Sequence, residues 1–449
     1  MAKRILIDGR FVGVGDSQTR YVLELVKGIL ALDHTNSYTL LLRPDGIKDA
    51  EKFLKLEIPF ANWEENSESN AKYKSLKTKR PNLHLQILNI PHYTLSEQTK
   101  LLKYLNEKKF DLVHFTQFNH PVRYSGKYVI TIQDLTLVGH LHRQNVIKRV
   151  AFNAVMKSAA KDSTKIIAIS RTTMEDVISY YNVPKEKFDI IYHGVDHQNF
   201  NMNVSSRTNE IKKFKEKYNI SEEYILYTGM WKRHKNILRM LKAFEQFRIQ
   251  NTDNRIQLVL VGKVDKKEPE VTALINRINS SQAVILSSTL TVRLRSGQAE
   301  QGRSLRSKAS SLRLEESDQG ESKDLSCQPI VTTGFIDEEE LPIAYAGAFV
   351  YCIPSLSEGF GWPPLEAMAC GTPVISSRES CIPEILGKAP LYFDAYNVED
   401  IAKKMKTITT DNTLRKELIK KGLEQVKKYN WEETAEKTYK VYKELLEGE

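Results

Sequence analysis

"FVYCIPSLSEGFGWPPLEAMACGTPVISS", residues 349 to 377, reads as strand, loop, helix and strand in succession. "FVYCIPS" is an apolar run of strand length, "SEGFGW" a glycine-rich loop, and "PPLEAMAC" a short helix. Proline opens that helix and Gly371 closes it before the strand "PVISS", the usual punctuation of a helix. Two strands joined through a helix lie parallel, and a parallel sheet is covered by helices on both faces. The fold class expected is therefore α/β.

The same rhythm runs outward in both directions. "RILID", "YTLLL", "LHLQIL", "DLVHF", "YVITI", "KIIAI" and "FDIIY" are strands of a first set, with helices such as "NVIKRVAFNAVMKSAAKDS" and "RTTMEDVISYYNV" between them. After a lysine-rich polar stretch the pattern restarts with "YILYTG", "IQLVLVG", "IVTTGF", "FVYCIPS" and "PVISS". This predicts two doubly wound, Rossmann-like domains facing a central cleft, with ligands beyond the carboxyl ends of the strands. The boundaries expected are 1–200, a linker at 201–222, 223–429, and a last helix at 430–449 that crosses back. Residues 286–328 break the rhythm, being serine-rich, free of aromatics and charged with both signs. They predict a disordered insertion, since such a composition cannot offset its ordering entropy.

At 449 residues the chain is long enough for two buried cores. The first apolar run ends at Asp8, too short for a secretory leader, and no later run reaches membrane-spanning length. Cys327, Cys352, Cys370 and Cys381 have neither disulfide-framework nor zinc spacing. A cytoplasmic protein with reduced thiols is expected. The formal charge of +10 suits an anionic partner. The densest basic run, "KYKSLKTKR" at 72–80, reads as a solvated face or loop, with contact to an anionic membrane at the inner face as the minority reading. No nucleic-acid motif accompanies the charge.

Within the opening stretch, Glu358 falls in the loop at the cleft and Glu366 in the first turn of the helix. A helix amino terminus offers backbone N–H groups and a positive dipole end to a phosphate. Glu366 beside it can accept hydrogen bonds from a diol such as ribose, and Gly359 and Gly361 let backbone approach a sugar. Taken singly, each acid would more often be structural. The ordered set of strand, Glu, Gly-aromatic-Gly, Pro-Pro, Glu and helix is far more specific.

These residues resemble the retaining GT-B glycosyltransferases whose signature is a glutamate, seven residues and a second glutamate, and within them the bacterial mannosyltransferase-like branch. "DLVHFTQFNHP", "YVITIQDLT", "IIYHGVD", "YILYTGMWKRHKN" and "TGFIDEEELPIAYAGA" are similar to further blocks of the family in its order. The resemblance implies a nucleoside-diphosphate sugar as co-substrate on the carboxyl-terminal domain and a glycan or lipid-linked acceptor on the amino-terminal one, with no other cofactor. It assigns the ribose to Glu366 and the donor sugar to Glu358, Gly359, Phe360 and Gly361. It gives the diphosphate to Lys235, with Lys232 or Arg233 in place of an arginine where this chain has Met230.

Two departures stand out. Gln133 occupies the place of a histidine before Asp134, so that position can donate a hydrogen bond but cannot exchange a proton near neutral pH. The loop "GVGDSQTRY" carries Gly13 and Gly15, candidates for donor binding, but lacks the glycines many relatives place directly before the Arg-Tyr pair; alone this pattern is more often a turn than a phosphate loop. His114, His120, His140, His142 and His193 could reach the cleft, although a lone histidine is usually structural. No Asp-x-Asp triplet is present to hold a divalent ion, so metal-independent transfer of a hexose in polysaccharide synthesis is expected, with mannose the sugar the branch suggests. The alternative is a catalytically silent protein that keeps the donor clamp for sensing or assembly.

Overall fold

The computed structural model describes residues 2–14, 16–56, 74–78, 80–135, 146–220, 223–250, 256–263, 268–280 and 328–448. Gly15, His140, His142, Cys327 and all of the expected insertion except Gln328 lie outside the described residues.

The first sheet contains β1 (Arg4–Asp8), β2 (Ser37–Leu42), β3 (Lys74–Lys77), β4 (Leu83–Ile87), β5 (Leu112–Phe115), β6 (Tyr128–Ile132), β7 (Lys165–Ala168) and β8 (Phe188–Ile190). Their order is β3-β4-β2-β1-β5-β6-β7-β8, parallel except for the edge pair β3–β4. The second sheet contains β9 (Tyr224–Thr228), β10 (Gln257–Val261), β11 (Ile330–Gly334), β12 (Val350–Ile353), β13 (Val374–Ser377) and β14 (Leu391–Phe393). Its order is β11-β10-β9-β12-β13-β14, all parallel. In this doubly wound order the direction of winding reverses between β9 and β12, and the crevice there is the ligand position.

The central strands of each sheet are buried on both faces, which is why they read as nearly continuous apolar runs. On β1, Ile5 and Ile7 enter one cluster while Leu6 enters the cluster across the sheet. On β9, Tyr224 and Leu226 face one way and Ile225 and Tyr227 the other.

Three expectations change. Residues 74–77 of the basic run, read as a solvated face or loop, form the antiparallel edge strand β3. Residues 201–222 are not a bare linker. Their described part includes a 3₁₀ turn at Met202–Ser206 and a helix at Thr208–Lys217, and Val204, Phe214 and Ile220 pack into one core with Tyr224 and Tyr345. Apolar residues spaced through a polar stretch anchor it to the second domain. The signature helix runs from Trp362 to Ala369, so Pro363 and Pro364 are its second and third residues and Glu366 lies beyond its first turn.

The closing helix, Trp431–Glu447, returns to the amino-terminal domain and packs on the opening helix, Asp16–Leu32. A Cβ at Gly28 would come within 2.4 Å of the Ala435 Cβ, so glycine is what permits the close crossing. His114 meets the Tyr442 hydroxyl on the same helix. The seam between domains is tied elsewhere by Glu384, which accepts from the Arg171 and Thr172 N–H groups at 2.6 and 3.2 Å and from the Tyr192 hydroxyl at 2.8 Å.

Candidate functional site

The loops after β9 and β12 meet at the switch point of the second sheet. The His234 carbonyl accepts from the Leu356 N–H at 2.7 Å, and buried Asn236 donates to the Pro354 and Ala395 carbonyls at 3.1 and 2.7 Å. These bonds set Lys235 opposite Glu358. Its Nζ lies 2.7 Å from both carboxylate oxygens, with the side chains 22% and 12% exposed. Lys232 and Arg233, in the same turn, are exposed.

Glu358 is held from behind. Its carbonyl accepts from the Ser380 hydroxyl at 3.0 Å, and the Cys381 thiol points to the same oxygen at 3.1 Å. Gly361 has φ of +92°, the left-handed conformation that glycine adopts without strain, and it turns the chain into the signature helix. With prolines at the second and third positions, the first four residues of that helix carry backbone N–H groups only at Trp362 and Leu365.

Glu366 is buried, and the residue that holds it comes from the other domain. Arg20 on the opening helix donates from Nη1 to Oε1 at 2.6 Å, and the Tyr345 hydroxyl donates to Oε2 at 3.0 Å. The guanidinium also lies over the Phe200 ring and 3.8 Å from Glu338. Burial raises the Glu366 carboxyl above its ordinary value even with Arg20 beside it. Burial also works against charge on Arg20, yet Glu366 and then Glu338 keep the guanidinium above its ordinary value. The partnership of Arg20 spans 346 residues of sequence, and the only signal for it was the Arg-Tyr pair at the end of the glycine loop.

Across the seam, Gln133 sits just past β6. A Cβ at Gly359 would come within 2.5 Å of its carbonyl oxygen and 3.2 Å of the Asp134 Cβ. Glycine is therefore required for the two loops to touch. Phe360 is buried beside Gly359, edge-on to His193 and Tyr429.

Gly13 has φ of +82° and packs against Asp45, while its N–H donates to the Thr19 hydroxyl at 2.9 Å. It forms a turn at the edge of a polar cavity of about 960 Å³ whose lining includes Arg20, Glu24, Lys52, Asp196 and Glu338. Neither signature acid lines that cavity, which reaches Glu366 through Arg20.

The remaining histidines divide clearly. His114 bonds Thr131 at 2.8 Å, and His120 stacks on Tyr128 and bonds Ser158 at 3.2 Å. Burial lowers both pKa values, that of His114 to about 3, so they serve as packed, neutral side chains. Of the described candidates His114, His120 and His193, only His193 joins site candidates, through Gln133 and the Phe360 ring. Among the described residues, no group of three or more His, Cys, Asp or Glu side chains could hold a metal ion. Among them also, no helix is long and apolar enough to cross a membrane.

Two family descriptions match, one on each side of the seam. "Glycosyltransferase Family 4" matches residues 18–199, and "Glycosyl transferases group 1" matches residues 321–425. The serotype-specific mannosyltransferase WbdA of Escherichia coli is 28% identical over 283 residues, 63% of this chain and 29% of the relative. The chain thus spans less than a third of the first curated relatives it matches. The O-antigen chain mannosyltransferase RfbU of Salmonella typhimurium is 26% identical over 295 residues, 65% of this chain and 62% of the relative. Among solved structures, Anabaena HepE in complex with UDP and glucose superposes with a TM-score of 0.64 at 15% identity, covering 98% of this chain and 99% of that one. The chain thus carries the two-domain GT-B fold, and each domain is matched by a glycosyltransferase family.

Proposed function

We propose that the chain is a retaining glycosyltransferase. It moves a hexose, mannose by the names of its relatives, from a nucleoside diphosphate to a hydroxyl of a glycan or glycolipid acceptor in cell-surface polysaccharide synthesis. The observation that carries this reading is the placement of Glu358, Lys235 and Glu366 around the switch point of one domain, with Gln133 facing them from the other.

Glu366 accepts the ribose hydroxyls, and Glu358 with the amides of Gly359, Phe360 and Gly361 holds the sugar. Lys235, with Lys232 and Arg233 nearby, meets the charge on the diphosphate, and no divalent ion is needed. The acceptor oxygen bonds to the anomeric carbon on the face from which the phosphate oxygen departs. The departing phosphate takes the acceptor's proton, so no protein base is required and a glutamine at position 133 is compatible with turnover. The rate then comes from positioning and from fixed positive charge near the leaving group. A lipid-linked acceptor would bring this basic chain to an anionic membrane surface.

The test is a thermal-shift screen of nucleoside-diphosphate sugars, because a ligand selective for the folded state raises its stability. NMR of the product's anomeric proton follows. Failure of every nucleotide sugar to bind removes the reading, and a product of inverted configuration removes the retaining mechanism alone.

A further inference from the structure

We infer that His193 is a positioning residue that fixes the Gln133 carboxamide so that its N–H₂ edge is presented to a hydroxyl of the donor sugar. The inference rests on the glycosyltransferase reading and adds to it a residue outside the signature.

His193 lies three residues past β8, at the carboxyl edge of the first sheet, and is 1% exposed. Its Nε2 is 2.8 Å from the Gln133 Oε1. A carboxamide oxygen only accepts, so the imidazole carries its proton on Nε2 and donates. The ring cannot turn away. It stacks on Trp362 with centroids 4.8 Å apart and planes at 25°, and Tyr21, Phe360 and Trp431 enclose it at 4.6, 5.3 and 5.7 Å. Trp362 is itself fixed by its indole N–H, which donates to the Gly194 carbonyl at 2.9 Å. Four rings and one hydrogen bond therefore decide which way the Gln133 amide faces.

With Oε1 taken by His193, the Gln133 Nε2 has no partner among the described residues, and neither has the His193 Nδ1. A buried carboxamide with an idle donor edge is costly, and native interiors rarely leave one without purpose. This one lies at the seam, where the Gln133 backbone touches Gly359 beside Glu358. A sugar hydroxyl held by the Glu358 loop is the ligand group that this unpartnered N–H₂ suits. Burial lowers the His193 pKa to about 3, so the ring stays neutral and keeps its donor role across the physiological range.

His193→Phe keeps a ring in the cage and removes the donor, whereas His193→Gln restores an N–H. The phenylalanine variant is expected to lose about tenfold in kcat, the worth of one oriented hydrogen bond, with its Kd for the free nucleoside diphosphate unchanged and its melting temperature close to the parent's. The glutamine variant should recover most of the loss. In a Gln133→Leu background, His193→Phe should cost nothing further, since the group it orients is gone. Parent-like kcat in His193→Phe, or a full additional loss in the double variant, overturns the inference and leaves the glycosyltransferase reading standing. A parent protein that turns over no nucleotide sugar overturns both. Nitrogen-15 spectra of the imidazole supply a readout besides activity: an Nε2–H tautomer that does not titrate between pH 5 and 8 supports the geometry, and titration in that range refutes it.

Discussion

Among the described residues, Arg20→Ala removes the one cation that touches Glu366 and leaves a carboxylate only 4% exposed with the Tyr345 hydroxyl as its remaining partner. Stripping one partner from a buried ion pair costs about 3–5 kcal/mol. Arg20 is itself 21% exposed, so water can reach part of the site and the loss should be nearer 2–3 kcal/mol. In a domain of this size that corresponds to a fall of roughly 5–10 °C in melting temperature. The sign with ligand is the informative part. The guanidinium holds one Glu366 carboxylate oxygen; if Glu366 accepts the ribose, as proposed, a nucleotide binding the parent would have to displace it. In the variant the diol meets an unpaired acceptor. Nucleoside diphosphate should therefore bind Arg20→Ala more tightly, on the order of tenfold, and the ligand-induced rise in melting temperature should exceed the parent's. The pH dependence follows from the raised Glu366 pKa. A carboxyl whose folded pKa exceeds its unfolded value favours folding while protonated and loses that advantage as pH rises through the folded pKa. The deficit of Arg20→Ala should thus narrow in acid and widen toward neutrality, and Glu366→Gln in the same background should recover stability. Calorimetric melts and titrations with nucleoside diphosphate measure all of this. Weaker nucleotide binding in Arg20→Ala would show that the arginine holds the ligand rather than competing with it.

The other expectations concern the rest of the seam. Lys235→Ala should lower donor affinity and turnover together, by about 10²-fold or more in turnover, if the lysine meets the diphosphate as proposed, and it takes from Glu358 the partner at 2.7 Å. Glu358→Gln should keep nucleoside diphosphate affinity while slowing transfer; titrations that find parent affinity in Lys235→Ala would remove it from the phosphate site. Transfer should survive EDTA, and rescue of an EDTA-inactivated enzyme by magnesium or manganese would refute the metal-free assignment. Replacing residues 286–327 with a short Gly/Ser linker should leave the melt and nucleotide binding unchanged. Asn279 already ties the flanks together, its Oδ1 3.0 Å from the Ile330 N–H and its Nδ2 3.0 Å from the Ile330 carbonyl, and connections in such folds need only roughly 2–6 residues. Loss of binding on that replacement would make the segment part of the donor domain.

Much of the fold was legible because a strand covered on both faces writes its burial directly into sequence. β1, β9, β10 and β12 are apolar almost throughout, and their two faces enter different cores. β3 was not legible, since an edge strand carrying lysines has the composition of a solvated loop. The packing of 201–222 was not legible for a related reason. Val204, Phe214 and Ile220 are too sparse to give a period, and only tertiary contact shows that they anchor the segment. The start of the signature helix was displaced by one residue because Pro363 was taken as its first position. Trp362 precedes it, its indole fastened to Gly194 across the seam.

The site divides along the same line. Glu358, Lys235 and Glu366 were legible because their spacing is set by local structure, one turn after β9 and one loop and helix after β12. Arg20 and His193 were not, because each acts through a partner on another element, Arg20 across 346 residues and His193 across 60. What could have drawn attention to His193 is its position, just beyond the carboxyl end of a strand in a doubly wound sheet, where side chains face the crevice. That position also bears on the substitution at 133. A histidine there could carry a proton; a glutamine cannot, but it can be aimed, and the aiming requires a donor fixed behind it. His193 meets that requirement with a ring that stacking holds in place and burial keeps neutral. Exchange of histidine for glutamine at 133 is thus better understood with 193 as a pair than as the loss of a catalytic group. A Gln133→His variant would set two imidazoles against each other with one of them already donating, so it should work only if the new ring accepts from His193, and its rate should then fall as acid protonates that ring.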